Sequence, residues 1–341
     1  MVLTGRAALE ASGGVSAEEE TAIGGFERIM GPNGEAQYQA TDIADAFRIL
    51  YEHYSYTYVM PGESGPRRHP TADDEGRSVL DHPCDGEFGN VGEIFDDVAN
   101  PGRKRPFPMR PVMEAVIDRD GGHLERWRSM VGAETAIVWD AHLGGQPVCL
   151  IGIESQNITR EGYRPLDGPA SWSGGTLFPL SSKKVARALN ASSGNRPVVV
   201  LANLSGFDGS PESMRKLQLE YGAEIARAVV NFEGPIIFLV VSRYHGGAYV
   251  VFSRALNPRL RASALTGSFA SVIGGGPAAA VVFSREVRGR AMADPRVRAL
   301  RERLRSDSGD DVRGLFERTL GEVILQEQAV LAAEFDGVHS V

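Results

Sequence analysis

Apolar residues along this chain fall into short uninterrupted runs and into longer stretches of helical spacing. Uninterrupted runs bounded by Gly, Pro or polar residues predict buried β-strands. The predicted strands are residues 135–139, 147–153, 197–202, 235–241 and 278–283. The helical spacing predicts α-helices over residues 40–58, with Thr41 as the expected N-cap, over residues 181–190 and 211–232, and from about residue 284 to the end. Strands that alternate with helices predict a parallel sheet with crossover helices.

The segment between residues 61 and 108 has a different character. It contains seven prolines and no sustained periodicity of either kind, which predicts a long connecting arm. Phe88, Val91, Ile94 and Phe95 are the residues that we expect to attach this arm to the rest of the protein. We therefore predict three parts: residues 1–60, an arm over residues 61–106, and an α/β unit over residues 107–341.

The composition is that of a globular protein, with 341 residues, 42% hydrophobic residues and a formal net charge of −8. The negative charge argues against nucleic acid and against an anionic membrane surface as partners. No apolar run approaches the ~20 residues that span a bilayer, and the first residues lack the pattern of a secretion signal. Two cysteines provide no disulfide framework, and the seven histidines lack metal-ligand spacing. We therefore expect a cytoplasmic protein without a metal site.

The strongest candidate site follows the predicted strand 235–241. Residues 242–249 read SRYHGGAY, so two glycines stand where a strand is expected to turn into a helix. The amides of Gly247 and Ala248 would then lie at a helix N-terminus and could stabilise developing negative charge, as an oxyanion hole does. The alternative is an ordinary turn whose backbone geometry requires glycine.

A second loop of the same kind, residues 203–209 (NLSGFDG), follows the predicted strand 197–202. In a parallel sheet both loops leave the carboxyl ends of their strands, which is the edge where ligands bind. Other motifs favour structural explanations. Gly274–Gly276 lacks the lysine of a phosphate-binding loop, and Ser181 to Lys184 reads as a helix cap rather than as a hydrolase SxxK motif. The basic clusters at residues 103–105 and 183–187 are typical of solvated faces.

Several motifs, taken in order, resemble the carboxyltransferase component of biotin-dependent acyl-CoA carboxylases, of the single-chain acetyl-CoA carboxylase type. Residues 242–252 resemble the family's Gly-Gly loop, and residues 141–148 (AHLGGQPV) resemble its "R-LGG-PVG" strand pair. Residues 176–179 (TLFP) resemble the start of "WFPDS-KTA", residues 201–209 resemble "FANWRGFSGG", and residues 256–258 resemble "INP". Residues 1–34 resemble the end of the family's N-terminal lobe.

The resemblance implies an α/β protein with a crotonase-like (ClpP/crotonase) fold, in which ββα units repeat in a spiral. It implies that residues 107–341 form a complete C-terminal lobe and that residues 1–60 are the remnant of an N-terminally truncated lobe. It also implies dimers whose active sites lie between the N lobe of one subunit and the C lobe of the other.

The reaction implied is the transfer of CO₂ from carboxybiotin to the α-carbon of an acyl-CoA, in cytoplasmic fatty acid biosynthesis. The resemblance assigns Gly246, Gly247 and Ala248 to catalysis through their backbone amides. The residues that it assigns to substrate and biotin binding are Gly206, Phe207, Arg243, His245 and Tyr249. Biotin would arrive on a separate carrier protein or domain that is charged by a biotin carboxylase, because the sequence has no biotin-attachment motif.

Two departures from the family pattern bear on this assignment. Ser205 stands where the acetyl-CoA type has Arg, so Arg243 is the candidate for a carboxylate-binding charge. The upstream part of the N lobe, which carries a glycine loop of its own in the family, has no counterpart in this sequence. Two alternatives therefore remain: a non-catalytic homologue that serves as a scaffold subunit, and a crotonase-type CoA hydratase or hydrolase. The latter would require an acidic residue in the pocket, for which the glycine loops offer only Asp208.

Overall fold

A computed structural model describes residues 5–13, 19, 21–160, 164–306 and 309–341. The first residues of the motif at 1–34 therefore lie outside the described part. The chain divides into two compact units, Met1–Ser268 and Phe269–Val341. The three-part division at residues 60 and 106 that we predict from sequence remains a prediction.

The strands and helices are numbered in chain order. The strands are β1 His123–Glu125, β2 Ala136–Leu143, β3 Gln146–Ile153, β4 Ile158–Thr159, β5 Ser171–Trp172, β6 Thr176–Leu177, β7 Val198–Leu204, β8 Gly206–Phe207, β9 Ile236–Tyr244, β10 Leu260–Ala264 and β11 Phe269–Ala270. The helices are α1 Arg6–Gly13, α2 Thr21–Gly24, α3 Ile43–Thr57, α4 Val91–Phe95, α5 Met109–Val116, α6 Pro179–Ser192, α7 Pro211–Arg215, α8 Gln218–Val230, α9 Gly246–Val251, α10 Gly275–Pro277, α11 Ser284–Ala293, α12 Pro295–Ser306 and α13 Asp310–Val338. Shorter helical turns lie at Phe26–Met30, Pro101–Arg103 and Ala278–Val282.

Six strands of the first unit lie side by side in the main sheet, in the order β1-β2-β3-β7-β9-β10. The pairs β1–β2 and β2–β3 are antiparallel. The pairs β3–β7, β7–β9 and β9–β10 are parallel. The three connections between the parallel strands run through α6, through α7–α8 and through α9, and α6 packs against α8. The parallel sheet with crossover helices that the sequence predicts is confirmed, with an antiparallel hairpin added at one side.

The segment predicted as a connecting arm forms part of the core. Phe88, Val91 and Ile94 are buried, and they form one cluster with α5 and with one face of the strands β2, β3 and β7. Phe95 packs against the same cluster. The prediction that these four residues attach the arm is confirmed. The arm lacks periodicity because its buried residues are distributed over turns and a short helix rather than along one regular element.

Three local predictions are wrong. Residues 278–283 form a helical turn rather than a strand, because runs of alanine are as compatible with helix as with sheet. The predicted helix 211–232 is two helices, separated at Leu217, whose φ is +65°. The N-cap of α3 is Asp42, whose side chain accepts the Asp45 N–H at 2.8 Å, and not Thr41.

The second unit is helical apart from one short strand, and its core consists of small clusters. Ala279, Val287 and Leu331 form one of them. Ala291, Val297 and Val323 form another. No helix in the described part of the chain is long and apolar enough to cross a membrane.

Candidate active site at the carboxyl ends of the strands

The two glycine loops meet at one edge of the sheet. They follow β7 and β9, which are parallel neighbours, and the His245 N–H donates to the Leu204 carbonyl at 2.8 Å. Gly206 and Gly246 have φ values of +135° and +65°, where L-residues are strained. A Cβ on Gly246 would lie 3.3 Å from the Gly206 Cα. Glycine is therefore favoured at 246 by both the close approach and the positive φ, and at 206 by the positive φ.

The Phe207 ring covers the second glycine of the β9 loop. A Cβ added to Gly247 would lie 2.5 Å from Phe207 Cδ2, a distance that ordinary van der Waals contacts do not reach. Phe207 is held in place because β8 pairs with β6, and Leu177 is its partner in that pair. The structure thus brings together four of the residues assigned from sequence, namely Gly206, Phe207, Gly246 and Gly247.

The helix that follows the β9 loop, α9, begins at Gly246 and has Ala248 buried in its first turn. The amides in the first turn of a helix have no acceptor within that helix. Tyr244 stabilises the end of α9, because its hydroxyl donates to the Phe252 carbonyl at 2.7 Å and to the Tyr249 carbonyl at 3.2 Å. Burial raises the pKa of Tyr244 well above its usual range, so this donor stays protonated. Tyr249 itself is 38% exposed beside the glycines.

Arg243 and His245 flank the end of β9. His245 is buried and caps α9 with its backbone. Arg243 is half-buried, and its Nη2 donates to the main-chain carbonyl of Arg103 at 3.2 Å. The guanidinium is therefore held by the segment that the sequence predicts as a connecting arm.

A third loop at the same edge follows β3 and was not predicted from the sequence. Glu154 is buried there, and its Oε1 accepts the N–H groups of Ser155 at 2.7 Å and Gln156 at 2.9 Å. Burial raises the pKa of Glu154. Its carbonyl accepts the Gly175 N–H, and the Gly175 carbonyl accepts the Ser205 N–H, both at 2.7 Å. Glu154 could have been found from the sequence, because it is an acidic residue that directly follows the predicted strand 147–153, which ends at the ligand-binding edge.

A cavity of about 220 Å³ lies beside β5, α6 and α7, lined in part by Trp172, Phe178 and Pro179. Arg160 forms two 2.6 Å hydrogen bonds to Glu212 in its wall and stacks over the Trp172 ring, with its Cζ 4.5 Å from the ring centre. The Arg160 guanidinium lowers the pKa of Glu212 to about 2. The charges in this wall are paired with each other and serve to hold α7 in place.

Among the residues that the structure describes, no group of three or more His, Cys, Asp or Glu side chains is arranged to hold a metal ion.

Comparison with known proteins finds acetyl-CoA carboxylases among the relatives of this chain. Over 190 residues the chain is 30% identical to the acetyl-CoA carboxylase dmxL1 of Cryptosporiopsis sp. (strain 8999). The aligned residues are 49% of this chain and 8% of that protein. Over 271 residues it is 27% identical to the acetyl-CoA carboxylase of Dictyostelium discoideum, which is 75% of this chain and 11% of that protein. The chain thus spans only about a tenth of these relatives.

The structure resembles the crystal structure of transcarboxylase 12S, which is described as a hexamer assembly with methylmalonyl-coenzyme A and methylmalonic acid bound. The TM-score is 0.67 at 20% sequence identity, and the match covers 95% of this chain and 52% of that one. This likeness confirms the crotonase-like fold. Residues 1–319 match the carboxyl transferase domain. The chain therefore belongs to the carboxyl transferase domain family of the biotin-dependent carboxylases.

Proposed function

We propose that this chain is a carboxyltransferase component that moves CO₂ from carboxybiotin to the α-carbon of an acyl-CoA of the acetyl-CoA type. The observation that supports this function best is the meeting of two glycine loops at the carboxyl ends of β7 and β9. Family membership gives the reaction class, and the loops supply a place where backbone amides can face a reacting group.

Negative charge develops on the ureido oxygen of biotin when the bond between its N1 and the carboxyl group breaks. Preorganised N–H donors stabilise such a charge, and loss of one donor costs on the order of 10²–10³ in rate. We assign this role to the amides of Gly246, Gly247 and Ala248 at the start of α9. The buried packing of Ala248 and the Phe207 ring against Gly247 keep these amides in a fixed orientation.

Biotin would supply the carboxyl group to this site from a carrier. The candidate residues for holding its ring are Gly206, Phe207, Arg243, His245 and Tyr249. The fit is chemical: two aromatic rings, of which Tyr249 is 38% exposed, lie beside glycines, which have no side chain of their own over their backbone polar groups. Arg243 is the candidate partner for a carboxylate, since Ser205 replaces the arginine of the acetyl-CoA type.

The proposed partners follow from the reaction. They are an acyl-CoA, a biotin carrier protein or domain, and a biotin carboxylase that charges the carrier. We also propose a homodimer or larger assembly, a cytoplasmic location and a role in fatty acid biosynthesis. Transcarboxylase 12S supports an oligomer, because it is a hexamer.

The test is the biotin-dependent decarboxylation of malonyl-CoA by the purified chain, which is the reverse half-reaction. We expect turnover that requires free biotin. A folded protein without turnover would contradict autonomous catalysis and would favour the scaffold alternative. Turnover that does not require biotin would favour a crotonase-type hydrolase or decarboxylase.

Gly247→Ala tests the assigned amides directly. The new methyl group would collide with Phe207 and displace the first turn of α9, so we expect kcat to fall about 100-fold. Gly209→Ala is the matched control, because a Cβ at this loop glycine meets no atom within 4 Å. It should retain activity within about twofold. Equal activity of the two variants would exclude the assigned role of the β9 loop.

A further inference from the structure

Arg103 is buried to 97% of its surface, although it lies in a basic cluster whose composition is typical of a solvated face. It ends the short helical turn Pro101–Arg103 in the arm. Its φ is +51°, which a residue other than glycine adopts only at a cost in strain. A strained backbone and a buried charge at one position indicate that the guanidinium is held by strong interactions.

The guanidinium connects two neighbouring segments at the carboxyl edge of the sheet. Its Nη1 donates to the Val241 carbonyl at 2.9 Å and to Ser268 Oγ at 2.7 Å, and Nη2 donates to the Thr266 carbonyl. Ser268 Oγ in turn donates to the Val240 carbonyl at 3.1 Å. The end of β9 and the turn that follows β10 are therefore held by one side chain.

The same residue contacts the candidate site through its backbone. The Arg103 carbonyl accepts a hydrogen bond from Nη2 of Arg243, two residues beyond Val241 and three residues before Gly246. Gly267, with a φ of +83°, leaves space for the guanidinium, since a Cβ there would lie 3.3 Å from Arg103 Nη2. Side chain and carbonyl of Arg103 thus act on β9 at two points just before the glycine loop.

We infer that Arg103 is a positioning residue, through which the arm fixes the end of β9 and the Arg243 guanidinium in the orientation that the glycine loop requires. This inference rests on the proposed function only for its catalytic consequence. The mechanical part, that Arg103 restrains residues 242–249, can be measured without any turnover.

Arg103→Gly is the informative variant, because glycine adopts the positive φ without strain, so that the variant loses the side chain and keeps the backbone carbonyl that holds Arg243. The matched control is Arg105→Gly in the same arm. Arg105 donates to the Ala99 carbonyl at 3.0 Å and pairs with Glu87 at 2.8 Å, so its polar contacts stay within the arm. Arg103→Lys is the second variant, which retains the charge and most of the volume but lacks the planar fork of donors.

We expect hydrogen–deuterium exchange of residues 242–249 to rise at least about tenfold in Arg103→Gly and to stay unchanged in Arg105→Gly. Added methylguanidinium should restore protection in Arg103→Gly and not in Arg103→Lys. In the decarboxylation assay, kcat/KM for free biotin should fall about tenfold or more in Arg103→Gly, with the same rescue. Unchanged exchange in Arg103→Gly, or an equal rise in Arg105→Gly, would overturn the inference. An inactive wild type with the expected exchange pattern would contradict only the proposed function.

Discussion

At the scale of single residues, the charges beside the candidate site are stabilising because they are paired. The Arg160 and Glu212 side chains are only 5% and 4% exposed, and their pairing is bidentate. Lys216 adds a second contact to Glu212 at 2.7 Å. Removal of one partner of such a pair leaves an uncompensated buried charge and costs about 3–5 kcal/mol.

Glu212→Gln should therefore lower the free energy of unfolding by about 3 kcal/mol at pH 7. The pKa of Glu212 is about 2 in the folded protein, against about 4.3 for an unfolded glutamate. The stabilisation by its ionised form is complete above about pH 4.3 and is lost as the pH falls toward 2. Urea unfolding at pH 7, 5 and 3 should thus show that the difference in the free energy of unfolding between wild type and Glu212→Gln is smaller at pH 3 than at pH 5 and 7.

The control for that series is Glu220→Gln. Glu220 pairs with Arg227 at the surface, and its side chain is 57% exposed. We expect a change below about 1 kcal/mol at each pH, as for surface ion pairs in general. A pH-independent loss in Glu212→Gln would show that packing rather than charge holds α7.

The positions of residues around the site were predicted where they follow from local sequence, and were missed where they depend on contacts with distant parts of the chain. Gly246 and Gly247 follow directly from the strand before them. Arg103 was assigned to a solvated cluster, because its partners Val241 and Ser268 lie 138 and 165 residues away in the sequence. No local pattern contains such a contact.

At the scale of elements, the hairpin of β2 and β3 shows why two glycines stand together at its turn. Gly144 and Gly145 have φ values of +55° and +75°, and their amides donate to Asp118 at 2.6 Å each. The Gly145 carbonyl accepts the His69 N–H at 2.8 Å, which attaches the arm to the turn. A Cβ on Gly145 would overlap the His69 carbonyl oxygen.

Gly145→Ala should therefore destabilise the first unit by about 2–4 kcal/mol, from the unfavourable φ and the overlap together. Gly122→Ala isolates the effect of the unfavourable φ, because the φ of Gly122 is also positive, at +60°, and a Cβ there meets nothing within 4 Å. We expect about 1–2 kcal/mol for this control. Urea unfolding monitored by tryptophan fluorescence is suitable, since Trp127, Trp139 and Trp172 all lie in the first unit. An equal decrease in the free energy of unfolding in the two variants would show that the arm moves at His69 to accommodate the new methyl group.

The sequence patterns predicted strands better than they predicted helix ends. β3, β7 and β9 are mostly buried and rich in branched apolar residues, which favour strand over helix. The interruption at Leu217 carries no glycine or proline, so nothing local announces it. Where a helix is interrupted at such a residue, tertiary contacts rather than the local sequence determine the interruption.

At the scale of the whole molecule, the two compact units differ in how much apolar surface they bury. The first contains a continuous core that joins the arm, α5 and the sheet. The clusters of the second contain three buried residues each, with Leu325, Val330 and Val338 exposed along α13. Regions with few buried contacts open more readily than the rest of a protein.

Native-state hydrogen exchange should separate the two units. We expect amides of α13 to exchange at least about 100-fold faster than amides of β7 and β9. Mass spectrometry of peptides from residues 310–338, 198–204 and 236–244 provides the comparison. Equal protection in all three peptides would show that the chain unfolds as one cooperative body.

The contact between Gly206 and Gly246 has a consequence for mutational screens. At these positions and at Gly247, the proposed function depends on backbone atoms, which every residue type has, and on the absence of a side chain. A scan that truncates side chains would report on the surrounding residues, such as Phe207 and Tyr249, and has nothing to truncate at the glycines themselves. A screen that adds volume would instead return its strongest signals at residues with nothing to remove, so the two libraries would outline complementary halves of one site.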